Sequence, residues 1–239
     1  MHGNIEKISK DYGCSMGAAA LLARHIQDLE ADWAYARDFI NDRCIARVPK
    51  GSQDLLAKGG KGYYRWQFYL RAAFFNPAIL RLITNDFFAK FGWLLRDDAV
   101  QLAGVESAST PLLTAFALEA SRCGHPVNVF SIRKAAKAYG RLNWIEGIPT
   151  DRPVLLVDDL VSDKHYTMLH AMKVLDDHQI PMINHVYAAL YKTPNPTDAI
   201  ERKGRVYRVS HVFSLNDFDL LFEDYESRKR FVIINAGNA

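Results

Sequence analysis

Residues 154–168, VLLVDDLVSDKHYTM, decide the fold of this chain. The first four are Val and Leu residues, a short apolar run that is typical of a strand buried on both faces of a parallel sheet. Asp158 and Asp159 follow directly, and residues 166–178 then continue at helical spacing. In open α/β sheets ligands sit at the carboxyl ends of the strands. The pattern therefore predicts a ligand site beside these two acids.

Two carboxylates at the end of a strand have a limited set of uses. They can hydrogen-bond the vicinal hydroxyls of a sugar, hold a divalent metal ion through its water shell, or cap the following loop. A simple turn followed by a helix cap explains the same two residues without any ligand. The motif alone leaves these alternatives open.

The surrounding sequence repeats the alternation of strand and helix. Apolar runs of strand length occupy residues 99–104, 127–132 and 185–190, and helical stretches at 111–122 and 166–178 lie between them. Such alternation predicts right-handed βαβ units around a parallel sheet, so the fold class is α/β. Ahead of these units, the pattern predicts a strand at 63–70 and a helix at 77–95.

Composition places the chain among globular proteins. It has 239 residues, 49% of them hydrophobic and 24% charged, which is enough for one sizeable core. The 30 basic residues are offset by 27 acidic ones, and a net charge of +3 does not indicate a nucleic-acid-binding protein. Cys14, Cys44 and Cys123 are far apart, so neither a disulfide framework nor a zinc cluster is expected. With no leader pattern and no long apolar run, we expect a cytoplasmic protein that does not span a membrane.

The first fifty residues lack the alternation of strand and helix patterns that the later part of the chain shows. Residues 16–42 carry apolar side chains at helical spacing, which predicts one or two amphipathic helices. We therefore divide the chain into an N-terminal helical extension, residues 1–51, and an α/β domain, residues 52–239.

Two segments together resemble a known family. Residues 154–168 resemble the phosphoribosyl pyrophosphate (PRPP) signature of type I phosphoribosyltransferases, in which two acids follow a hydrophobic strand. Residues 133–140, RKAAKAYG, with Ile145-Glu146-Gly147 after them, resemble the mobile basic loop of orotate phosphoribosyltransferases. Residues 104–111, 60–71 and 212–217 give weaker matches, and the resemblance covers about residues 55–225. It implies the phosphoribosyltransferase fold.

The resemblance also implies roles for the residues in these motifs. Asp158 and Asp159 would contact the ribose hydroxyls, and Mg²⁺ would be bound mainly by substrate phosphates and water. Arg133, Lys134 and Lys137 would stabilise the departing pyrophosphate, since cations around a leaving group that gains negative charge accelerate the step. In the family the basic loop reaches a neighbouring subunit, so a homodimer is implied. A solvated basic surface loop is the structural alternative.

Further predicted substrate contacts lie beside the glycines at residues 59–62, in the basic segment 133–140, and in the segments 106–111 and 162–167, which match the family's phosphate-binding loops. They are Lys58, Lys61, Tyr63, Tyr64, Glu106, Ser107, Ser109, Tyr139, Ser162, Asp163, Lys164, His165 and Thr167. A packing or surface role explains the two tyrosines equally well. No residue is predicted to be a direct metal ligand.

The loop after the two acids departs from the family pattern. The family's loop is rich in Thr and Gly because its backbone N–H groups wrap the 5′-phosphate. Here residues 162–167 read SDKHYT and contain no glycine. Bulky residues are costly at positive φ, and Asp163 repels a phosphate. The segment 106–111, ESASTP, likewise has small residues where the family commonly has glycine.

Three functions fit these observations. The leading hypothesis is an enzyme that transfers a 5-phosphoribosyl group between PRPP and a pyrimidine-type, orotate-like base. The second is a catalytically divergent module that senses a nucleotide, or an effector subunit whose residues 1–51 dock a protein partner, because a fold does not fix a function. A third keeps the ribose and phosphate contacts but breaks an N-glycosidic bond or consumes a nucleotide.

Overall fold

A computed structural model describes residues 16–47, 55–56, 63–64, 66–135, 144–193, 196 and 199–220. The helices are α1 (Met16–Arg43), α2 (Arg71–Phe74), α3 (Pro77–Arg96), α4 (Thr110–Arg122) and α5 (Tyr166–Asp177), with a 3₁₀ turn at Leu215–Asp217. The strands are β1 (Ile45–Arg47), β2 (Leu55–Leu56), β3 (Tyr63–Tyr64), β4 (Trp66–Phe68), β5 (Gln101–Val105), β6 (Val129–Ile132), β7 (Ile145–Glu146), β8 (Val154–Ser162), β9 (Met182–Lys192), β10 (Ala199–Arg202) and β11 (Arg205–Ser214).

A seven-stranded sheet in the order β10-β11-β9-β8-β5-β6-β7 forms the centre of the molecule. Strands β11, β9, β8, β5 and β6 run parallel, whereas β10 and β7 pair antiparallel at the two edges. The chain leaves β5 through α4 to β6 on one side, and leaves β8 through α5 to β9 on the other. The winding direction therefore reverses between β5 and β8, and this is the point at which open α/β sheets bind ligands.

The central strand β8 is buried on both faces. Leu155 and Val157 belong to one hydrophobic cluster with residues of α1, α3 and α4, whereas Val154 and Leu156 belong to a second cluster with residues of α5. This alternation follows from the two-residue period of a strand, which sends successive side chains to opposite faces. It explains why the sequence shows a continuous apolar run at this point.

Helix α1 packs on the α/β core. Its residues Ala36 and Ile40 are fully buried in the same cluster as Leu155. After it, β1 pairs antiparallel with β4 through Ile45 and Phe68, across the predicted boundary at residues 51 and 52. The described part of the predicted N-terminal extension thus shares the core of the main unit, and its separate role stays a prediction.

The structure refines the predicted elements at three places. The described residues of the strand predicted at 63–70 form two short strands, β3 and β4. The prediction of one or two helices at residues 16–42 resolves into the single helix α1. Strand β8 continues through Asp158 and Asp159 to Ser162, because it pairs with β9 as far as the Ser162–Lys192 position. The two acids therefore lie within the strand instead of after it. No helix in the described part of the chain combines the length and apolarity that a membrane span needs.

An aromatic stack joins α3 to α4 above the sheet. The rings of Phe87 and Phe116 are stacked with centroids 3.9 Å apart, and the Tyr187 ring meets both edge-on. The Tyr187 hydroxyl donates to the Ile83 carbonyl at 3.2 Å and to the Asp86 carboxylate at 3.0 Å. Both phenylalanines are fully buried, so this stack fixes how the two helices lie on the sheet.

We expect Phe116→Ala to lower the free energy of unfolding by about 3–5 kcal/mol, since it removes a buried ring and leaves a cavity beside Phe87. Urea denaturation measures this value. Ile148→Ala is the control, because that side chain is 83% exposed and its truncation is expected to cost less than about 0.5 kcal/mol. Equal losses in the two variants would contradict the assignment of the stack to the core.

Candidate active site

The carboxyl edge of the sheet opens between β5 and β8. Their ladder ends at the Ala103–Leu156 pair, yet both strands continue beyond it. At Gly104 the backbones remain very close, because a Cβ built there would lie 2.4 Å from the Val157 carbonyl oxygen and 2.4 Å from the Ser109 hydroxyl. Only glycine fits this position. Beyond it the segment 106–109 and the acids of β8 form the two walls of a crevice.

The two acids of β8 form a buried pair. Asp158 is 2% exposed, and its carboxylate accepts a hydrogen bond of 2.9 Å from the Asp159 N–H group. Burial, together with the neighbouring Asp159 carboxylate, raises the pKa of Asp158 well above its ordinary value. Burial also raises the pKa of Asp159, although the Asp158 hydrogen bond and the Lys134 and Arg71 cations oppose that rise.

Cations from two distant segments face this pair. Lys134 follows β6, whereas Arg71 begins α2, and both favour the ionised form of Asp159. The Arg71 guanidinium also donates a hydrogen bond of 3.0 Å to the Ser107 hydroxyl. Arg71 thus links the acidic pair to the segment 106–109. Such an arrangement of hydrogen-bond acceptors beside fixed positive charge suits a polyol that carries anionic groups.

The segment 106–109 turns sharply at the end of β5, and the peptide bond between Glu106 and Ser107 is cis. Ser109 is fully buried, and its hydroxyl donates to the Val105 carbonyl at 2.9 Å. Ser107 is exposed and bonded to Arg71. The exposed hydroxyl in the described crevice is therefore that of Ser107, while the Ser109 hydroxyl supports the backbone of the turn.

The turn after β8 spans residues 163–165. His165 adopts the left-handed conformation, with φ of 52°, and its N–H donates to the Ser162 carbonyl at 3.0 Å. Its Nε2 atom lies 2.7 Å from the hydroxyl of Tyr191, a fully buried residue of β9. Burial lowers the pKa of His165, against the opposing effect of Asp163. Asp163 and Lys164 are exposed, and the Lys164 ammonium lies 5.9 Å from the Tyr166 ring centroid.

A further cation lies where β9 ends. Lys192 is paired in register with Ser162 of β8, and its ammonium lies 5.2 Å from the Trp66 ring centroid. Trp66 belongs to β4, in the part of the molecule that precedes α2. An ammonium held against an indole face keeps its charge while part of its surface is covered.

Comparisons with known proteins agree with this geometry. The chain is 33% identical over 109 residues to the orotate phosphoribosyltransferase of Methanocaldococcus jannaschii. That match covers 45% of this chain and 56% of the archaeal protein, so it spans about half the length of each. No protein-family model matches the chain.

Solved structures extend the likeness to most of the described fold. A phosphoribosyltransferase from Corynebacterium diphtheriae superposes with a TM-score of 0.59 at 20% identity, covering 78% of this chain and 98% of that one. The orotate phosphoribosyltransferase of Mycobacterium tuberculosis, solved with Fe(III) dicitrate, gives a TM-score of 0.58 at 23% identity with the same coverages. The chain has the type I phosphoribosyltransferase fold. The fold class predicted from residues 154–168 and the resemblance to this family are thereby confirmed.

This phosphoribosyltransferase fold brings some of the predicted site residues together. Lys134 lies close enough to Asp158 and Asp159 to oppose the rise in the pKa of both carboxyl groups. Ser107 is held at the same crevice by Arg71, whereas Arg133 and Glu106 form an ion pair beside it. Ser162 ends β8, and Thr167 lies in the first turn of α5.

Other predicted residues lie outside what the structure describes. Lys58, Lys61, Lys137 and Tyr139 fall outside the described residues, and for Tyr63 and Tyr64 only the strand β3 is described. Their predicted substrate contacts stay predictions.

The sequence analysis did not name Arg71 of the crevice, or Lys192 at the end of β9, as a site candidate. Arg71 had a signal, since it closes the matched segment 60–71, but its partner Ser107 lies 36 positions further along the chain. Lys192 follows an apolar strand without any motif, and only the pairing of β9 with β8 brings it beside Ser162.

The buried acid predicts a pH-dependent stability. Because the pKa of Asp158 is raised on folding, its contribution to stability is complete below the unfolded value of about 3.9 and is lost as the pH rises toward the raised value. Asparagine cannot ionise. We therefore expect Asp158→Asn to match the wild-type stability near pH 4 and to exceed it increasingly as the pH rises to 7.

Urea denaturation at pH 4, 5, 6 and 7 measures this trend. Asp177→Asn is the matched control, because the Lys173 hydrogen bond lowers the pKa of the exposed Asp177 carboxylate. The ionised form of Asp177 therefore stabilises the fold, and its replacement is not expected to raise stability as the pH rises. A difference between Asp158→Asn and wild type that stays constant with pH would contradict the buried, poorly solvated state of Asp158.

Proposed function

We propose that this protein transfers a 5-phosphoribosyl group between PRPP and a pyrimidine-type base. The observation that carries the proposal is the placement of Asp158, Asp159, Lys134 and Arg71 around one crevice at the reversal point of a phosphoribosyltransferase fold. The match to an orotate phosphoribosyltransferase supports the reaction class. It also supports a pyrimidine as the acceptor.

In this proposal Asp159, the less buried acid, accepts hydrogen bonds from the ribose hydroxyls. Asp158 fixes its neighbour through the Asp159 N–H group and contributes a second carboxyl oxygen. Both oxygens become better hydrogen-bond acceptors as they ionise, and Lys134 favours that form. Ribose binding is therefore coupled to the charge of the crevice.

Pyrophosphate departs on the side of the segment 106–109. Negative charge accumulates on the leaving oxygen as the glycosidic carbon–oxygen bond breaks, so a cation held nearby lowers the barrier. We assign this role to Lys134, whose charge acts on the acidic pair of the crevice, and, from the sequence, to Lys137. Arg71 holds the Ser107 hydroxyl in the same region.

A magnesium ion fits the donor set. Carboxylate oxygens are suitable ligands for Mg²⁺, which keeps several water molecules and binds substrate phosphates. Within the described residues no cluster of three or more His, Cys, Asp or Glu side chains is available as a protein cage. Asp158 and Asp159 would therefore hold the ion only in part, and the ion would neutralise phosphate charge.

Binding of PRPP is the first test. With Mg²⁺ present, we expect titration calorimetry to detect saturable binding that Asp159→Asn weakens at least about tenfold, since it removes a charged acceptor of the ribose hydroxyls. Lys134→Ala is expected to lower kcat for nucleotide formation about a hundredfold. Lys173→Ala, an exposed lysine paired with Asp177, should leave both quantities unchanged.

Absence of binding at millimolar PRPP would sink the transferase proposal. It would favour the second candidate, a nucleotide-sensing or effector module, which the glycine-free turn at His165 supports. That turn gives the 5′-phosphate fewer unobstructed backbone N–H groups than a glycine-rich one.

The base is assigned from the cation at the end of β9. Lys192 lies against Trp66 beside Ser162, so a negatively charged substituent on the base would meet an ammonium there. This favours a carboxylated pyrimidine such as orotate over an uncharged one.

We expect Lys192→Met to lower the ratio of kcat/KM for orotate over uracil about tenfold, which corresponds to about 1.4 kcal/mol of lost charge recognition. Lys203→Met is the control, since Lys203 is exposed and pairs with Asp176. A variant that loses activity equally on both bases would show that Lys192 does not read the charge of the base.

The homodimer and a protein partner for residues 1–51 stay predictions. An apolar groove of about 1000 Å³ between α3 and α4 opens near Ser107 and provides surface for a second copy. Its exposed apolar residues include Phe75 and Leu118.

A further inference from the structure

The Arg133 side chain is paired with two carboxylates. Only 13% of its side chain is exposed, and its guanidinium pairs with Glu146 of β7 and lies 3.8 Å from the Glu106 carboxylate. Its Nε atom is buried and makes no hydrogen bond. The group predicted from the sequence to contact pyrophosphate therefore has two carboxylate partners among the described residues.

Both backbone groups of Arg133 are hydrogen-bonded. Its N–H donates to the Trp144 carbonyl at 2.8 Å, and its carbonyl accepts a bond of 2.8 Å from His170 Nε2 on α5. Trp144 lies where the chain returns from the basic segment, and its ring meets the His170 ring at a centroid distance of 5.6 Å. Arg133 thus ties the outgoing stem of that segment to its returning stem and to α5.

The same guanidinium reaches the wall of the crevice. Glu106 follows β5, and its N–H donates to the Ile132 carbonyl at 2.9 Å, which sets its backbone next to Arg133. A carboxylate at this place would repel an approaching pyrophosphate, and the Arg133 charge offsets it. Removal of Arg133 would both release Glu106 and leave its charge uncompensated.

We propose that Arg133 is a positioning residue, an ionic latch with Glu106 and Glu146 that fixes the stem of the basic segment to the segment 106–109. This inference rests on the proposed function for its effect on pyrophosphate. Its structural part does not. Arg133 acts through Lys134, which it places against the acidic pair, and through Glu106, which it neutralises.

The latch makes a distinctive prediction about Glu146, which is assigned no contact with substrate. If Arg133 is a latch, Glu146→Gln and Arg133→Gln both raise the KM for pyrophosphate in the reverse reaction. The double variant is then no worse than the more affected single variant, because the two residues act through one ion pair. If Arg133 contacts pyrophosphate directly, Glu146→Gln frees its guanidinium and leaves the KM unchanged or lower.

A second readout does not depend on activity. We expect the initial rate of tryptic cleavage after Lys134 in the full-length protein to rise about tenfold in both single variants and no further in the double variant. Mass spectrometry identifies the cleavage site. Glu119→Gln is the matched control, since it breaks an exposed ion pair with Arg122 far along the chain from the latch. Arg133→Lys, which keeps the charge, should restore part of the protection.

The outcomes separate the two proposals. In one outcome the cleavage rate after Lys134 rises in both single variants and no further in the double variant, while even the wild type turns over no pyrophosphate. That result would overturn the transferase proposal and support the latch. Turnover with a KM and a cleavage rate that Glu146→Gln does not change would overturn the latch. If Arg133→Gln lowers the thermal unfolding midpoint, the test rests on Glu146→Gln, which changes a half-exposed carboxylate to an amide of the same shape.

Discussion

The close approach of β5 and β8 at Gly104 is the constraint on which the site depends. Because no Cβ fits between Gly104 and the Val157 carbonyl, the two strands lie nearly in contact just before their ends diverge. The segment 106–109 and the acids of β8 are thereby held on opposite walls of one narrow crevice. A wider separation would place the acids and Ser107 too far apart to share a ligand. The reversal of winding at this pair supplies the opening, since the crossovers through α4 and α5 leave in opposite directions.

The free crevice contains two neighbouring carboxyl groups whose burial is unfavourable. A nearly buried Asp158 beside a second carboxylate is unfavourable in the free protein, and its raised pKa expresses that cost. Lys134 and Arg71 reduce the cost without removing it. Hydroxyl donors from a sugar, or a hydrated cation, would satisfy the remaining acceptor capacity of the pair. The buried acids thus destabilise the free protein at a place where a bound ligand would offset the cost. Carboxyl groups with shifted pKa values are common in functional clefts.

Four of the seven strands of the central sheet, β5, β6, β8 and β9, could be predicted from the sequence because each contains a short apolar run. The strand pattern did not identify β7, β10 or the largely polar β11. The α3 and α4 helices were predicted within one residue at each end, at 77–95 and 111–122. The end of β8 was not, since Asp158 and Asp159 interrupt its apolar run and the strand continues only through pairing with β9. The ion pairs of Arg133 could not be predicted from the sequence either. Glu106 follows β5 and Glu146 lies in β7, and only the order of the strands in the sheet brings both to Arg133.

The turn at residues 163–165 contains no glycine at the place where the resemblance predicts a phosphate loop. A left-handed residue is still needed to begin α5, and histidine occupies that conformation more readily than most side chains do. Its ring is then fixed against Tyr191, so the position that glycine would leave open is filled by an imidazole. An anion at this helix terminus would meet side chains, Lys164 and His165 among them, rather than a row of bare N–H groups. The burial that lowers the pKa of His165 keeps the imidazole neutral near pH 7, so much of the positive charge offered to a phosphate there would have to come from lysine.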